Sequence, residues 1–139
     1  MRERDPVALK AEVIAMRRRM RGELDRSDGS RFDLKQGEGG LVDLEFLLQE
    51  RVLALAAAHP TLCDDRDTPS LLRALAAVGG LPGGDAAALL PAHATLLARG
   101  LDCTLDRRPR IVIEDAAIVA AREQVRRACL AAGLDFRAG

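Results

Sequence analysis

Apolar residues recur at three- and four-residue steps along most of the chain, and that spacing predicts helices. Leu9, Val13, Met16, Met20 and Leu24 mark a first amphipathic helix over about residues 6 to 25, with Asp5 and Pro6 as its cap and first-turn pair. The turn-forming run Ser27 to Ser30 ends it. Phe32 and Leu34 then alternate with Asp33 and Lys35, the pattern of a brief extended segment. Leu41, Leu44, Leu48, Val52 and Leu55 share one face of a second helix, which the alanine-rich tail extends to Ala58 before His59 and Pro60 stop it. Val42, Leu44, Phe46 and Leu48 also alternate, so a strand is a rival reading of that first half; the length of the pattern favours the helix.

Thr68 and Pro69 predict the cap of a third helix through Leu72, Leu75 and Val78, closed by Gly79 and Gly80. Asp85 opens a fourth that ends near Gly100, and a fifth runs from about Asp115 to Ala132 with Gly133 as its stop. Arg110 to Ile113 reads as extended where it leads into that last helix. The expectation is an all-α fold: a helical bundle of about five helices, with a short extended segment and a Gly-rich turn before the second helix. At 139 residues the chain has room for one core, so residues 1–139 are read as a single helical domain.

Composition narrows the function classes. Lysine plus arginine balances aspartate plus glutamate at 21 each, so no net field draws in nucleic acid or a membrane surface. There is no Trp or Tyr, and Phe32, Phe46 and Phe136 offer no stacking platform for bases. Cys63, Cys103 and Cys129 are widely spaced without a CxxC pair, the pattern of reduced thiols rather than a disulfide framework or zinc site. The charged start (Arg2, Glu3, Arg4, Asp5) lacks an apolar signal region, which makes the expected location cytoplasmic.

Candidate chemistry concentrates in Phe32 to Gln49, FDLKQGEGGLVDLEFLLQ, where three glycines precede a helix start and Asp43 and Glu45 sit where its dipole favours negative charge. As a phosphate loop the segment fails: GxxxxGK[ST] is absent, Val42 occupies the last glycine's place in GxGxxG, and Glu38, Asp43 and Glu45 repel phosphate. Gly29-Ser30 followed by Asp43-Leu44-Glu45-Phe46 resembles the signature of polymerase-β-type nucleotidyltransferases. In those enzymes a strand aligns two carboxylates on magnesium, which leaves a small self-contained nucleotidyltransferase using Asp43 and Glu45 as an alternative. On a helix, however, those two positions point roughly 200° apart. Asp65-Arg66-Asp67 is a second paired-acid spacing, read as a solvated loop. Arg17, Arg18, Arg19 and Arg21 form a basic run, read as a solvated face, with Arg17 and Arg21 as candidates for docking an acidic partner. His59 and His93 have no nucleophile or ligand partner nearby in sequence.

The same FDLKQGEGGLVDLEFLLQ is similar to a signature of the bacterial glutamine synthetase adenylyltransferases, and VIAMRRRMRGELD before it resembles that family's lead-in helix. The stretch from His59 to Asp102 resembles the helices that follow, and LDRRPRIV with its closing helix resembles the family's C-terminal end. Glu38 stands where the family commonly has proline, and Arg99 to Cys103 replaces a basic, histidine-containing stretch. The resemblance implies the C-terminal helical domain of an enzyme that transfers AMP from ATP to a tyrosine of glutamine synthetase, the other half removing it by phosphorolysis. It further implies ATP and magnesium in the parent enzyme but no cofactor or metal in this chain, which is expected to be catalytically inactive alone. The implied partners are an upstream nucleotidyltransferase domain, glutamine synthetase and a PII signalling protein. Asp33, Lys35, Gly37, Gly39, Gly40, Asp43 and Glu45 then stand as candidates for contacts at the nucleotide cleft, or for interface packing and helix capping.

Overall fold

The computed structural model describes residues 5–64 and 67–137; Arg2 to Arg4, and Asp65 and Arg66 of the second paired-acid spacing, lie outside them. The element order is α1 (Pro6–Leu24), β1 (Phe32–Asp33), α2 (Leu41–Leu55), a 3-10 turn (Pro60–Asp64), α3 (Thr68–Ala77), α4 (Gly83–Leu105), β2 (Ile111–Val112) and α5 (Ala116–Ala131). Five helices thus make up an all-α fold, as the periodicity predicts. The two short extended segments form an antiparallel pair with Phe32 opposite Val112 and Asp33 opposite Ile111.

α2 is the hub, contacting α1, α3, α4 and α5. Its buried positions include Leu41, Val42, Leu44, Phe46, Leu47 and Leu48, too many for one stripe, as suits a helix covered on several sides. Leu72 and Leu75 of α3, Leu89 and Leu96 of α4, and Ile118 and Val125 of α5 close the core around it. α1 is the peripheral helix, burying only Leu9 and Arg17 outright. No helix among the described residues is long and apolar enough to cross a membrane.

Three boundaries differ from expectation. α2 stops at Leu55, short of the expected Ala58, and turns at once into the 3-10 segment. α3 is capped by Asp67 rather than Thr68: the Asp67 carboxylate accepts from the Ser70 amide at 2.8 Å, so this member of the paired acids is a helix cap. α4 runs straight through Gly100 to Leu105. Its end is a Schellman turn in which the Arg108 amide donates to Cys103 O at 2.8 Å and the Arg107 amide to Thr104 O at 3.0 Å, with Arg107 at φ 55°. Arginine occupies the left-handed position that glycine fills after α3 (Gly79, φ 75°) and α5 (Gly133, φ 79°), so no glycine signal marked it.

Candidate functional site

The glycine loop is built backward from the start of α2. The Leu41 amide donates to Leu34 O and the Val42 amide to Lys35 O, both at 3.0 Å, so the loop folds over the helix end and its own carbonyls satisfy the first helical N–H groups. The Gly37 amide donates to Asp33 O and the Gly40 amide to Gly37 O, each at 2.9 Å. Those N–H groups, which a phosphate cradle would need, are committed within the loop.

Each glycine answers to a neighbour. A Cβ on Gly37 would collide with the Phe32 ring and lie 2.7 Å from Asp33 O; on Gly40 it would lie 2.7 Å from Leu34 O. Gly39 has φ +78° and rests on α5, where a Cβ would sit 2.8 Å from Arg122 O. Arg122 completes that contact by stacking its guanidinium 3.9 Å from the Phe32 ring centroid and donating Nε to Glu38 O at 2.8 Å. It also pairs with Glu114.

Asp43 lies at the third helical position and is only 2% exposed. Its Oδ2 accepts from the Gly39 amide at 2.8 Å, a side chain reaching back over the helix start. Its Oδ1 accepts from Arg17 Nε at 2.6 Å, and Arg21 NH2 donates to both oxygens at 3.0 and 2.9 Å. Arg17 is fully buried and donates also to Gln36 O (2.7 Å) and Gln36 Oε1 (3.2 Å), so one guanidinium ties both ends of the glycine loop to α1. Arg21 reaches Phe136 O and Arg18 reaches Asp135 O, tying the C-terminal segment to the same helix. The expected solvated face is therefore corrected at Arg17 and Arg21, which Asp43 draws inward. Arg19 remains exposed.

Asp33 is buried and serves as the staple of the segment before the loop. Its Oδ1 accepts from the Lys35 and Gln36 amides at 3.0 Å and its Oδ2 from the Arg26 amide at 3.2 Å. Lys35 is half-buried and lines a groove together with Arg26 and Arg110. Glu45 is exposed on α2 while Asp43 is buried, so the two carboxylates diverge and do not share an ion. Among the described residues no cluster of three or more His, Cys, Asp or Glu side chains could hold a metal. That donor set does not fit magnesium.

A third buried acid, after Asp33 and Asp43, carries no local mark in the sequence. Glu50 is 1% exposed, with Lys10 Nζ at 2.5 Å and Arg51 NH2 at 2.6 Å. Burial pushes its carboxyl up, but the hydrogen bonds from Arg51 and Lys10 outweigh that and hold it below the ordinary value. A signal was present: Lys10 and Arg17 on α1, like Asp43 and Glu50 on α2, are one heptad apart, the step that presents two ion pairs on one seam of antiparallel helices. Cys129 is buried against Asp43 O, and burial raises its thiol far above the usual range, which makes it unreactive. His93 is half-buried, and that burial pushes its pKa down.

No family model matches the chain. Individual proteins do. Over 135 residues, 97% of this chain, it is 59% identical to a bifunctional glutamine synthetase adenylyltransferase/adenylyl-removing enzyme of Stenotrophomonas maltophilia (strain K279a), covering 14% of that protein. It is 55% identical over all 139 residues to the like-named enzyme of Xanthomonas axonopodis pv. citri (strain 306), covering 15% of it. Against that of Thioalkalivibrio sulfidiphilus it is 38% identical over 123 residues, 88% of this chain and 13% of the relative. The chain is homologous to one segment of these enzymes, as the glycine motif led us to expect, and spans about 14% of the length of the curated relatives it matches.

Proposed function

We propose that the chain acts as one helical accessory domain, the C-terminal part of an enzyme that transfers AMP from ATP to glutamine synthetase and, in its other half, removes it. The observation that carries this reading is similarity along nearly the whole chain to a small part of enzymes named for both activities. In this role the chain catalyses nothing alone, because the metal-holding carboxylates belong to an upstream nucleotidyltransferase domain; ATP and magnesium bind there. The domain works in the bacterial cytoplasm, with glutamine synthetase and a PII signalling protein as further partners. Its contribution is a rigid wall. Gly37, Gly39 and Gly40 keep the loop thin enough to lie against the nucleotide cleft, Asp33 and Asp43 hold its two ends from within, and Lys35 and Glu45 supply charges toward the neighbouring domain.

The test is a chimera. This chain replaces the matching segment of the Stenotrophomonas maltophilia enzyme, and incorporation of labelled AMP into glutamine synthetase is compared with the parent and with a deletion of the segment. Transfer retained by the chimera and lost on deletion is the expected result. A folded chimera without transfer, or a deletion that keeps it, would refute the proposal.

A further inference from the structure

Nearly every cation with a defined role in this molecule is matched to an acid or a carbonyl: Lys10 and Arg51 to Glu50, Arg17 and Arg21 to Asp43, Arg99 to Asp115, Arg122 to Glu114. Among the described residues Arg19, Arg73, Arg107 and Arg127 have no such partner, but one groove gathers several cations together. The end of α1, the glycine loop and the residue before β2 border a groove of about 290 Å³, which Arg26, Lys35 and Arg110 line from three separate segments of chain together with Glu23 and Asp33. Among the described residues neither Lys35 nor Arg110 has a side-chain hydrogen bond or an ion pair, and Arg26 has only Asp33 at 4.0 Å. The Asp33 carboxylate, the acid nearest the groove floor, is already saturated by backbone amides of Arg26, Lys35 and Gln36.

We propose that this groove is a subsite for the phosphate groups of a small polyphosphate ligand. Three cations against two carboxylates leave the groove with an excess of positive charge, and a concavity of that sign attracts an oxyanion more strongly than isolated surface charges do, because the walls limit screening by solvent. Gln36 adds a donor: its side-chain oxygen accepts from Arg17, which leaves its amide NH2 for the groove. The positions are held rather than mobile. Arg110 donates no side-chain bond, but its carbonyl receives the Leu34 amide at 2.9 Å, and Lys35 O caps Val42, so both cations stand on backbone fixed by the β1–β2 pair and the start of α2. Glu23 and Asp33 are the opposing charges, and they set the preference for multiply charged ligands over single carboxylates. The assignment deepens the accessory-domain reading and rests on it for the identity of the natural ligand, a nucleotide triphosphate tail.

The experiment uses the 139-residue chain itself and inorganic tripolyphosphate as the probe, followed by amide and lysine side-chain chemical shifts at low ionic strength with sodium chloride matched for ionic strength as the blank. Saturable binding in roughly the millimolar range or tighter is expected, with shifts centred on Arg26, Lys35, Gln36 and Arg110. Lys35→Ala and Arg110→Ala each weaken it about five- to tenfold, Glu23→Gln strengthens it, and Arg73→Ala on the exposed face of α3 leaves it unchanged. Lys35→Ala changes no side-chain contact, so it reports even where Arg110→Ala perturbs folding. Binding that does not saturate by about 10 mM, shifts spread evenly over the exposed arginines, or indifference to Lys35→Ala overturns the proposal. Failure here with a working chimera removes the subsite alone; binding here with an inactive chimera removes the accessory-domain reading alone.

Discussion

Asp43→Asn is the substitution on which the reasoning about the glycine motif turns. The aspartate neutralises Arg17, which is wholly buried, and Arg21, whose side chain is 11% exposed. Asparagine keeps the volume and one acceptor oxygen, which can still serve the Gly39 amide. It turns an NH2 toward the guanidinia and leaves two cations without a counter-charge, Arg17 with only the Gln36 dipoles and Arg21 with only the Phe136 carbonyl. Removing one member of a buried pair costs about 3–5 kcal/mol, because the survivor keeps its desolvation penalty. For a chain of 139 residues, each kcal/mol moves the melting temperature by roughly 3–5 °C, so a drop of roughly 10–20 °C is expected. Without Trp or Tyr the transition is followed by far-UV circular dichroism, in heat and in urea. Glu45→Gln, on the exposed face of the same helix, is the control and should stay within about 0.5 kcal/mol. A double-mutant cycle with Arg17→Met should give a coupling energy above about 2 kcal/mol, since the second loss removes a charge already stranded. If Asp43→Asn stays within about 1 kcal/mol of the parent with an unchanged urea slope, the ion cluster does not hold the loop.

Three further outcomes follow from the same geometry. Gly39→Ala combines a positive φ with a Cβ 2.8 Å from Arg122 O, whereas Gly79→Ala meets the same φ penalty in open space, so the first should lose about 2–4 kcal/mol and the second about 1 by urea denaturation; equal losses would mean the α5 contact is soft. Arg107→Gly relieves a left-handed arginine at the end of α4 and should gain about 0.5–1 kcal/mol in the same assay, a loss of stability counting against the Schellman assignment. Glu50 has a lowered carboxyl pKa in the fold, so its contribution is present above the ordinary value of 4.5 and disappears as pH falls through the lower folded value. The stability gap between parent and Glu50→Gln should therefore be full at neutral pH and shrink on acidification below about 4.5, and a gap that grows in acid would reverse the sign of the argument.

What the sequence disclosed was the part written in periodicity and in local caps. The first helix is legible from Asp5, Pro6 and its apolar steps because each of those signals acts within a few residues. Gly100 misleads for the same reason: a glycine reads locally as a stop, yet it sits buried inside α4, where a Cβ would stand 3.4 Å from Arg110 Cδ, an ordinary contact. The true stop, Arg107, adopts the left-handed conformation of the Schellman turn, and no local preference of arginine announces that.

The site shows a similar division with a sharper lesson. The glycines were marked because glycine is a statement about backbone, and the backbone of residues 34 to 42 does fold back tightly on itself. The arginines are not legible from the basic run's own composition, because their burial depends on what stands across the seam. Arg18 and Arg19 keep the solvated position that composition suggests for a basic run, while Arg17 and Arg21, one helical turn apart, share the face that meets Asp43. A heptad step of cations on one helix, matched by a heptad step of acids on the next, was the available clue. Charges that answer each other across two helices specify their register more narrowly than apolar contacts can, since a slip of one turn strands Arg17 and Glu50 together in the interior, where each unpaired ion costs several kcal/mol. The arrangement that fixes how α1 lies on α2 is therefore the same one that holds the glycine loop against α5, and any activity that needs the loop in place inherits its dependence on Asp43 without Asp43 touching a ligand.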